Sequence, residues 1–309
     1  MAVPAHRRLT QRLRPAPVPG RRPAHRRRST VINDYRLHHM TWPQVREALT
    51  TATVGVIPFG ATEQHGPALK AGIDYRIAER LAEEVVAAAD GTALMTPPIP
   101  VGFSPHHMDF PGTLTARVST LCSLLEDYLS SLARHGLERF VIMNGHGGNL
   151  AFLPAFLTEY KQRTGHTVAV VHWSMMGRDV VVDIAQSEMY GHACEVETSL
   201  ALHLVPDVVV TEELGGPAPL LPSAHELLRG QAIPDRAVGG FTPRSLAEFS
   251  TNGALGDPAK HDVEKGRKLF EAVRDRTVTL IRHLAEAPTA GTISAERAAA
   301  ISTDWGTRG

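Results

Sequence analysis

The sequence predicts an α/β fold, a mainly parallel central sheet with helices on both faces in a three-layer α/β/α domain. Three observations predict it. Short apolar runs of strand length alternate with longer segments whose apolar residues recur at helical spacing, the pattern of parallel strands joined by crossover helices. The strand runs are apolar at nearly every position, as strands covered on both faces must be. Two polar, glycine-containing loops follow such runs directly, at the carboxyl ends of strands, where ligands bind in sheets of this kind.

The elements follow in order. Ordered structure is expected from about Leu37, with a short helix over Trp42 to Leu49. Val54 to Phe59 is the first buried strand, ending in Gly60 and the loop Ala61-Thr62-Glu63-Gln64-His65-Gly66-Pro67. A helix over Tyr75 to Ala89 carries Ile77, Leu81 and Val85 at helical spacing and closes at Asp90-Gly91. Ala93 to Thr96 reads as a strand, Ser119 to Ala133 as an amphipathic helix ended by His135-Gly136, and Arg139 to Met143 as a strand. The loop Asn144-Gly145-His146-Gly147-Gly148-Asn149 leads into a helix over Leu150 to Arg163, and Thr167 to His172 is a further strand. From Thr211 to Pro258 periodicity is lost among Gly, Pro and Ser, which marks a lid, a subunit contact or both. A last helix runs from His261 to Leu284, and the Ala- and Thr-rich chain from Ala285 is peripheral. Residues 1–36 are therefore expected as a tail, 37–284 as one domain and 285–309 as a second tail.

The formal net charge is +0, so the whole chain has no general attraction to nucleic acid or to a membrane surface. That balance conceals nine arginines and no acidic residue between Met1 and Arg28. Such a segment cannot bury enough apolar surface to offset its ordering entropy and reads as disordered. It is either an anion-binding arm or an extension from an upstream start codon. No apolar stretch follows Arg7-Arg8, so export is not expected. Cys122 and Cys194 are too few for a disulfide framework and suit a reducing cytoplasm.

Glu63 and His65 are one residue apart at the end of a buried strand, and Asp74 follows at the start of the next helix. Two carboxylates and an imidazole make a site for a borderline cation such as Zn, Mn or Fe. Taken alone, the loop fits equally a capping glutamate, a surface histidine and an N-cap aspartate. In the second loop, His146 sits among three glycines that let backbone approach a ligand closely. A phosphate-binding turn competes with a metal histidine there, but neither the lysine nor the glycine spacing of a nucleotide loop accompanies it.

The third element is Gly191-His192-Ala193-Cys194-Glu195-Val196-Glu197-Thr198-Ser199. On a helix Glu195 and Glu197 point about 200° apart, so they cannot face one metal. Glu197 shares its face with Leu200, Ala201 and Leu204 and is aimed inward, where a carboxylate needs a cation or strong hydrogen bonds.

These motifs, together with Ser104-Pro105-His106-His107 before Phe110-Pro111-Gly112-Thr113, resemble in order those of the creatininase (creatinine amidohydrolase) family from about Leu37 to Leu284. The resemblance implies two divalent metals per chain, zinc first, with manganese or iron as alternatives. Asp74 would bridge them, Glu63 and His146 would complete one, and His65 and Glu197 the other. It also implies His192 as a general acid/base, a homo-oligomer such as a hexamer, and hydrolysis of an amide, cyclic amide or formamide C–N bond in a small molecule or short peptide.

Two departures bear on the substrate. Creatininases proper carry tyrosine and glutamate after the second-loop histidine, where this chain has Gly147 and Gly148, so creatinine is not the expected substrate. The Gly-Gly form resembles formamidopyrimidine deformylases and the peptidase of the mycofactocin precursor. Cys194 stands where glycine is common and would narrow the pocket without acting as a nucleophile. His106 and His107 either line the pocket mouth or are polar groups of the surface or core. Trp173 stacks on a planar substrate or packs in the core, His203 is structural, and Asn144 and Asn149 organise their loop. A dinuclear phosphoesterase and a metal-bound scaffold without turnover are the competing functions.

Overall fold

The computed structural model describes residues 34–187, 190–216 and 243–287. The arginine-rich segment, most of the C-terminal tail and the middle of the Thr211–Pro258 stretch lie outside these residues.

Among the described residues a four-stranded, all-parallel sheet has the order β2-β1-β3-β4, with β1 at Val54–Phe59, β2 at Ala93–Met95, β3 at Arg139–Asn144 and β4 at Thr167–His172. Alternate residues of each strand serve opposite faces, as the two-residue strand repeat requires. Val54, Val56, Val141, Met143 and Val171 pack with α2 (Ile73–Ala88), α7 (Glu195–Leu204) and α8 (Val263–Glu286). Ile57, Phe59, Phe140 and Ile142 pack on the other side with α3 (Val118–Arg134) and α4 (Leu153–Thr164). The result is the expected three-layer arrangement.

Element boundaries moved by a few residues for local reasons. Contacts of the domain begin before Leu37: Arg36 forms a parallel bridge with Met95 and pairs with Glu83 at 3.0 Å, ties to which hydrophobic periodicity is blind. Helix α2 starts at Ile73, two residues early, which puts Asp74 inside the first turn and not at the N-cap. The segment after His146 is first a 3-10 turn over Gly147–Ala151, and α4 begins only at Leu153 with Pro154 in its first turn. Two short helices, Trp173–Met176 (α5) and Arg178–Ile184 (α6), had no signal in the periodicity. At the other end, α8 runs to Glu286 and the Ala287 carbonyl accepts from Arg139 at 2.7 Å, so the peripheral tail begins later than Ala285.

From β1 the chain leaves through α2 on one face, and from β3 it leaves through α4 on the other. The β1/β3 boundary is therefore the topological switch point, where the two diverging loops open a crevice. Phe59, Asn144 and His172 end β1, β3 and β4 in matching register, so the loops after them start from one level.

Candidate metal centre

The crevice holds the residues singled out in the motifs. Glu63 and His65 come from the loop after β1, His146 from the loop after β3, Asp74 from the first turn of α2 and Glu197 from the first turn of α7. All five are buried. The amino-terminal end of α2 favours an ionised carboxylate at Asp74. Gly145 is required where the loops meet, because a Cβ there would collide with the Asp74 carbonyl.

Asp74 lies between two histidines. His65 Nε2 is 3.1 Å from Asp74 Oδ1 and 3.7 Å from Glu197 Oε1, while His146 Nδ1 is 3.2 Å from Asp74 Oδ2 and 3.2 Å from Glu63 Oε1. The other nitrogen of each ring sets its tautomer. His65 Nδ1 donates to the Glu63 carbonyl at 3.0 Å, and His146 Nε2 donates to the Phe103 carbonyl at 3.0 Å. In its neutral form each ring thus aims a lone pair at carboxylate oxygens, and like meets like unless a positive charge stands between. His65 Nε2, Asp74 Oδ2 and Glu63 Oε2 have no aligned hydrogen-bond partner although they are buried, so the ion-pair distances to His65 and Asp74 reflect proximity rather than hydrogen bonding. Glu63, His65 and Asp74 present ligand atoms within 4.8 Å of one another, as do His65, His192 and Glu197. A divalent cation with nitrogen and oxygen preferences fits this donor set.

The titration behaviour has the same cause. Burial alone would hold the His65 and His146 rings below their ordinary pKa, but Asp74 and Glu197 around the first, and Glu63 and Asp74 around the second, raise both well above it. Burial would raise Asp74 and Glu63, yet the facing His65 and His146 hold both carboxyls low.

His192 precedes α7 and is placed by pairing of its backbone with Leu255. Its Nε2 donates to the Gln64 carbonyl at 2.7 Å, leaving Nδ1 as a lone pair 3.8 Å from Glu63 Oε1. Burial and the neighbouring His65 lower its pKa, so the ring is a neutral proton acceptor. Ala193 adopts a left-handed φ of 49°, and its N–H donates to Glu197 Oε2 at 2.7 Å.

His107 is a residue of the crevice whose position the sequence left open. It is buried with Nε2 3.2 Å from Glu63 Oε1. The Gln64 side chain explains its role: Gln64 Oε1 accepts from Gly66 N–H at 3.0 Å, so Gln64 Nε2 is the amide nitrogen, donating to the Gly253 carbonyl at 3.0 Å and to His107 Nδ1 at 2.8 Å. His107 therefore carries its proton on Nε2, the atom that lies 3.2 Å from Glu63 Oε1. Its histidine, missed as a site residue, stands in an irregular loop where no periodicity orients side chains. His106 is half-buried, and burial pushes its pKa down to about 4.

Other expectations resolve locally. Asn144 and Asn149 do organise the second loop: Asn144 Nδ2 donates to the His146 carbonyl at 2.7 Å and Asn149 Nδ2 to Asn144 Oδ1 at 3.0 Å. Trp173 is buried in the core with Nε1 directed at the Gly145 carbonyl at 3.4 Å, and His203 packs on Phe270. Burial pushes the Cys194 thiol up to about 11, which keeps it protonated and inert. Glu195 turns away from the crevice, pairing with buried Lys265 at 2.6 Å and accepting from Gln186 and Ser187 N–H.

Known proteins share this architecture. The chain is 36% identical over 222 residues to the mycofactocin precursor peptide peptidase of Mycolicibacterium smegmatis, covering 70% of this chain and 78% of that protein. It is 27% identical to the 3-dehydro-scyllo-inosose hydrolase of Thermotoga maritima, over 82% and 84% of the two chains. Among solved structures, a glutamate-to-glutamine creatininase variant described as Zn-Zn type superposes with a TM-score of 0.68 at 23% identity, over 82% of this chain and 99% of that one. The family profile described as Creatininase, creatinine amidohydrolase, matches residues 38–281. The chain belongs to the creatininase family.

Proposed function

We propose that the chain is a dinuclear-metal hydrolase of a C–N bond in a short peptide or small amide. One observation carries this reading: two histidine lone pairs approach opposite oxygens of one buried carboxylate, each beside a further carboxylate of its own. Asp74 would bridge two ions, with Glu63 and His146 holding one and His65 and Glu197 the other. Zinc is the expected ion, with manganese or iron as alternatives. When bound, such ions supply Lewis acidity that activates water near neutral pH and polarises a carbonyl.

The chain's own residues supply proton handling and exclusion. His192 holds its Nε2 on the Gln64 carbonyl and offers Nδ1, on the Glu63 side, to take a proton and return it to a leaving nitrogen. Creatinine is not favoured. Gly148 cannot carry a side chain in this backbone, because a Cβ there would collide with His146 Nε2 and the Phe103 carbonyl. A peptide is favoured by the 36% identity to a precursor peptide peptidase. The 27% identity to a 3-dehydro-scyllo-inosose hydrolase supports a second reading in which the same centre hydrolyses a substrate without a C–N bond. A phosphoester has less support, since among the described residues the only buried lysine or arginine, Lys265, is committed to Glu195. A homo-oligomer completes the reading, consistent with exposed Trp42, Met108 and Leu114.

The test is metal analysis with turnover of peptide, amide, inosose and phosphoester panels. Wild type is expected to hold about two ions per chain and Asp74→Ala neither, as a bridging ligand requires. Full retention of metal in Asp74→Ala would falsify the bridging assignment, and turnover of phosphoesters alone would overturn the amide reading.

A further inference from the structure

His172, the last residue of β4, belongs to none of the ligand groups above, yet it has an unspent donor. Ser174 N–H donates to His172 Nδ1 at 3.2 Å, and the Ser174 hydroxyl lies 2.9 Å from the same atom. A ring nitrogen that accepts carries no proton, so the neutral ring bears its hydrogen on Nε2. That Nε2 is buried without a hydrogen-bond partner, although a buried N–H normally finds one. The ring cannot turn away from this arrangement cheaply, because Trp173 stacks on it at 5.5 Å and Trp173 is itself seated under the second loop against Gly145.

Gly147 lies next to the unpartnered nitrogen. A Cβ built on Gly147 would have one neighbour within 4 Å, His172 Nε2 at 4.0 Å, and Gly147 is exposed. Gly147 adjoins His146 of the candidate metal centre, so the open face of this glycine is a shelf beside the candidate ligands, with the buried His172 Nε2 4.0 Å from where a Cβ would stand. Any side chain at 147 would fill the shelf. Burial pushes the His172 pKa down to about 4, which keeps the ring a neutral donor at physiological pH.

We propose that His172 is a substrate-binding residue whose Nε2–H donates to a carbonyl or carboxylate oxygen of a peptide seated over Gly147. This rests on the hydrolase reading for its substrate class, but on the orphaned donor for its residue. A neutral donor of this kind recognises an acceptor oxygen and rejects an ammonium, so the part of the substrate lying on the shelf is its acyl or carboxyl side.

The experiment uses the metal-loaded full chain and a panel of short peptides, each as C-terminal acid and C-terminal amide. Binding is read by calorimetry and turnover in parallel, for wild type, H172F and H172Q, with metal content measured for each. Phenylalanine keeps the ring and removes the donor, and glutamine restores an N–H near the position of Nε2. Peptide binding and KM are expected to weaken about tenfold in H172F, as for loss of one neutral hydrogen bond, with kcat changed less than about twofold. H172Q is expected to recover most of the loss, with metal content the same in all three. If acid and amide suffer alike, the acceptor is a backbone carbonyl; if only the acid suffers, it is the terminal carboxylate. Unchanged binding in H172F, or loss of metal in step with loss of binding, overturns the proposal and leaves the hydrolase reading standing. Binding that depends on His172 without cleavage of any peptide supports the proposal and sinks that reading. Failure of every peptide to bind wild type overturns both. Should H172F not fold, the His172 Nε2–H resonance of histidine-labelled wild type must shift when peptide is added, and a resonance that does not move overturns the proposal.

Discussion

Single hydrogen bonds separate the histidines of the crevice into two kinds. His65 and His146 spend one nitrogen on a backbone carbonyl and offer a lone pair, whereas His107 accepts from Gln64 and offers a proton. The expected consequence is visible in metal content. On the proposed two-metal reading, His146→Gln should lose one ion, whereas His107→Gln should keep both and bind them about 10-fold to 100-fold more weakly, the usual cost of losing a partner that orients a ligand. Equal stoichiometric loss in the two variants would show that His107 is itself a ligand. That Glu195 and Glu197 face different ways was legible in the sequence, because a fixed rotation per helical residue separates their faces. Both side chains are nevertheless buried, and the partner that makes burial of Glu195 tolerable, Lys265, lies 70 residues away, beyond any local pattern.

Helix α7 is consequently anchored on two sides, by Lys265 on one and by the crevice on the other. Lys265→Met should destabilise the fold by about 3 kcal/mol, because the Glu195 carboxylate would stay buried without its cation. Adding Glu195→Leu should recover part of that loss; an additive loss in a denaturation series would mean the pair is not coupled. The two loops differ in a parallel way. Gly145→Ala should cost about 2 kcal/mol, since its Cβ meets the backbone of α2, whereas Gly147→Ala should leave the melting temperature nearly unchanged. The strands were readable as short, continuously apolar runs, and the long helices because each shows one period over its whole length. Helices α5 and α6 were not, since four and seven residues are too few to display a helical period. The return of the chain at Ser250 to Leu255, where Gly253 receives the Gln64 amide, was hidden for a similar reason: a contact 189 residues distant is specified by shape at its destination.

Across the whole molecule the candidate metal centre is expected to tie stability to pH in opposite senses with and without ions. In metal-free protein, the raised pKa values of His65 and His146 mean that their contribution is full below the unfolded value of about 6.5 and is lost as pH rises through the folded values. Metal takes the place of those protons, so its binding strengthens as pH rises. The gap in melting temperature between loaded and chelated protein should therefore widen from about pH 6 to about pH 9, and loading should release about two protons per chain by calorimetry in buffers of different ionisation enthalpy. A gap independent of pH would mean that neither histidine is displaced from its proton by metal. The level ends of β1, β3 and β4 bear on how such a protein changes its substrate. Residues 147 and 174 hang from that common rim, outside the paired strands, so a library randomising them is expected to sample new specificities over an unchanged foundation.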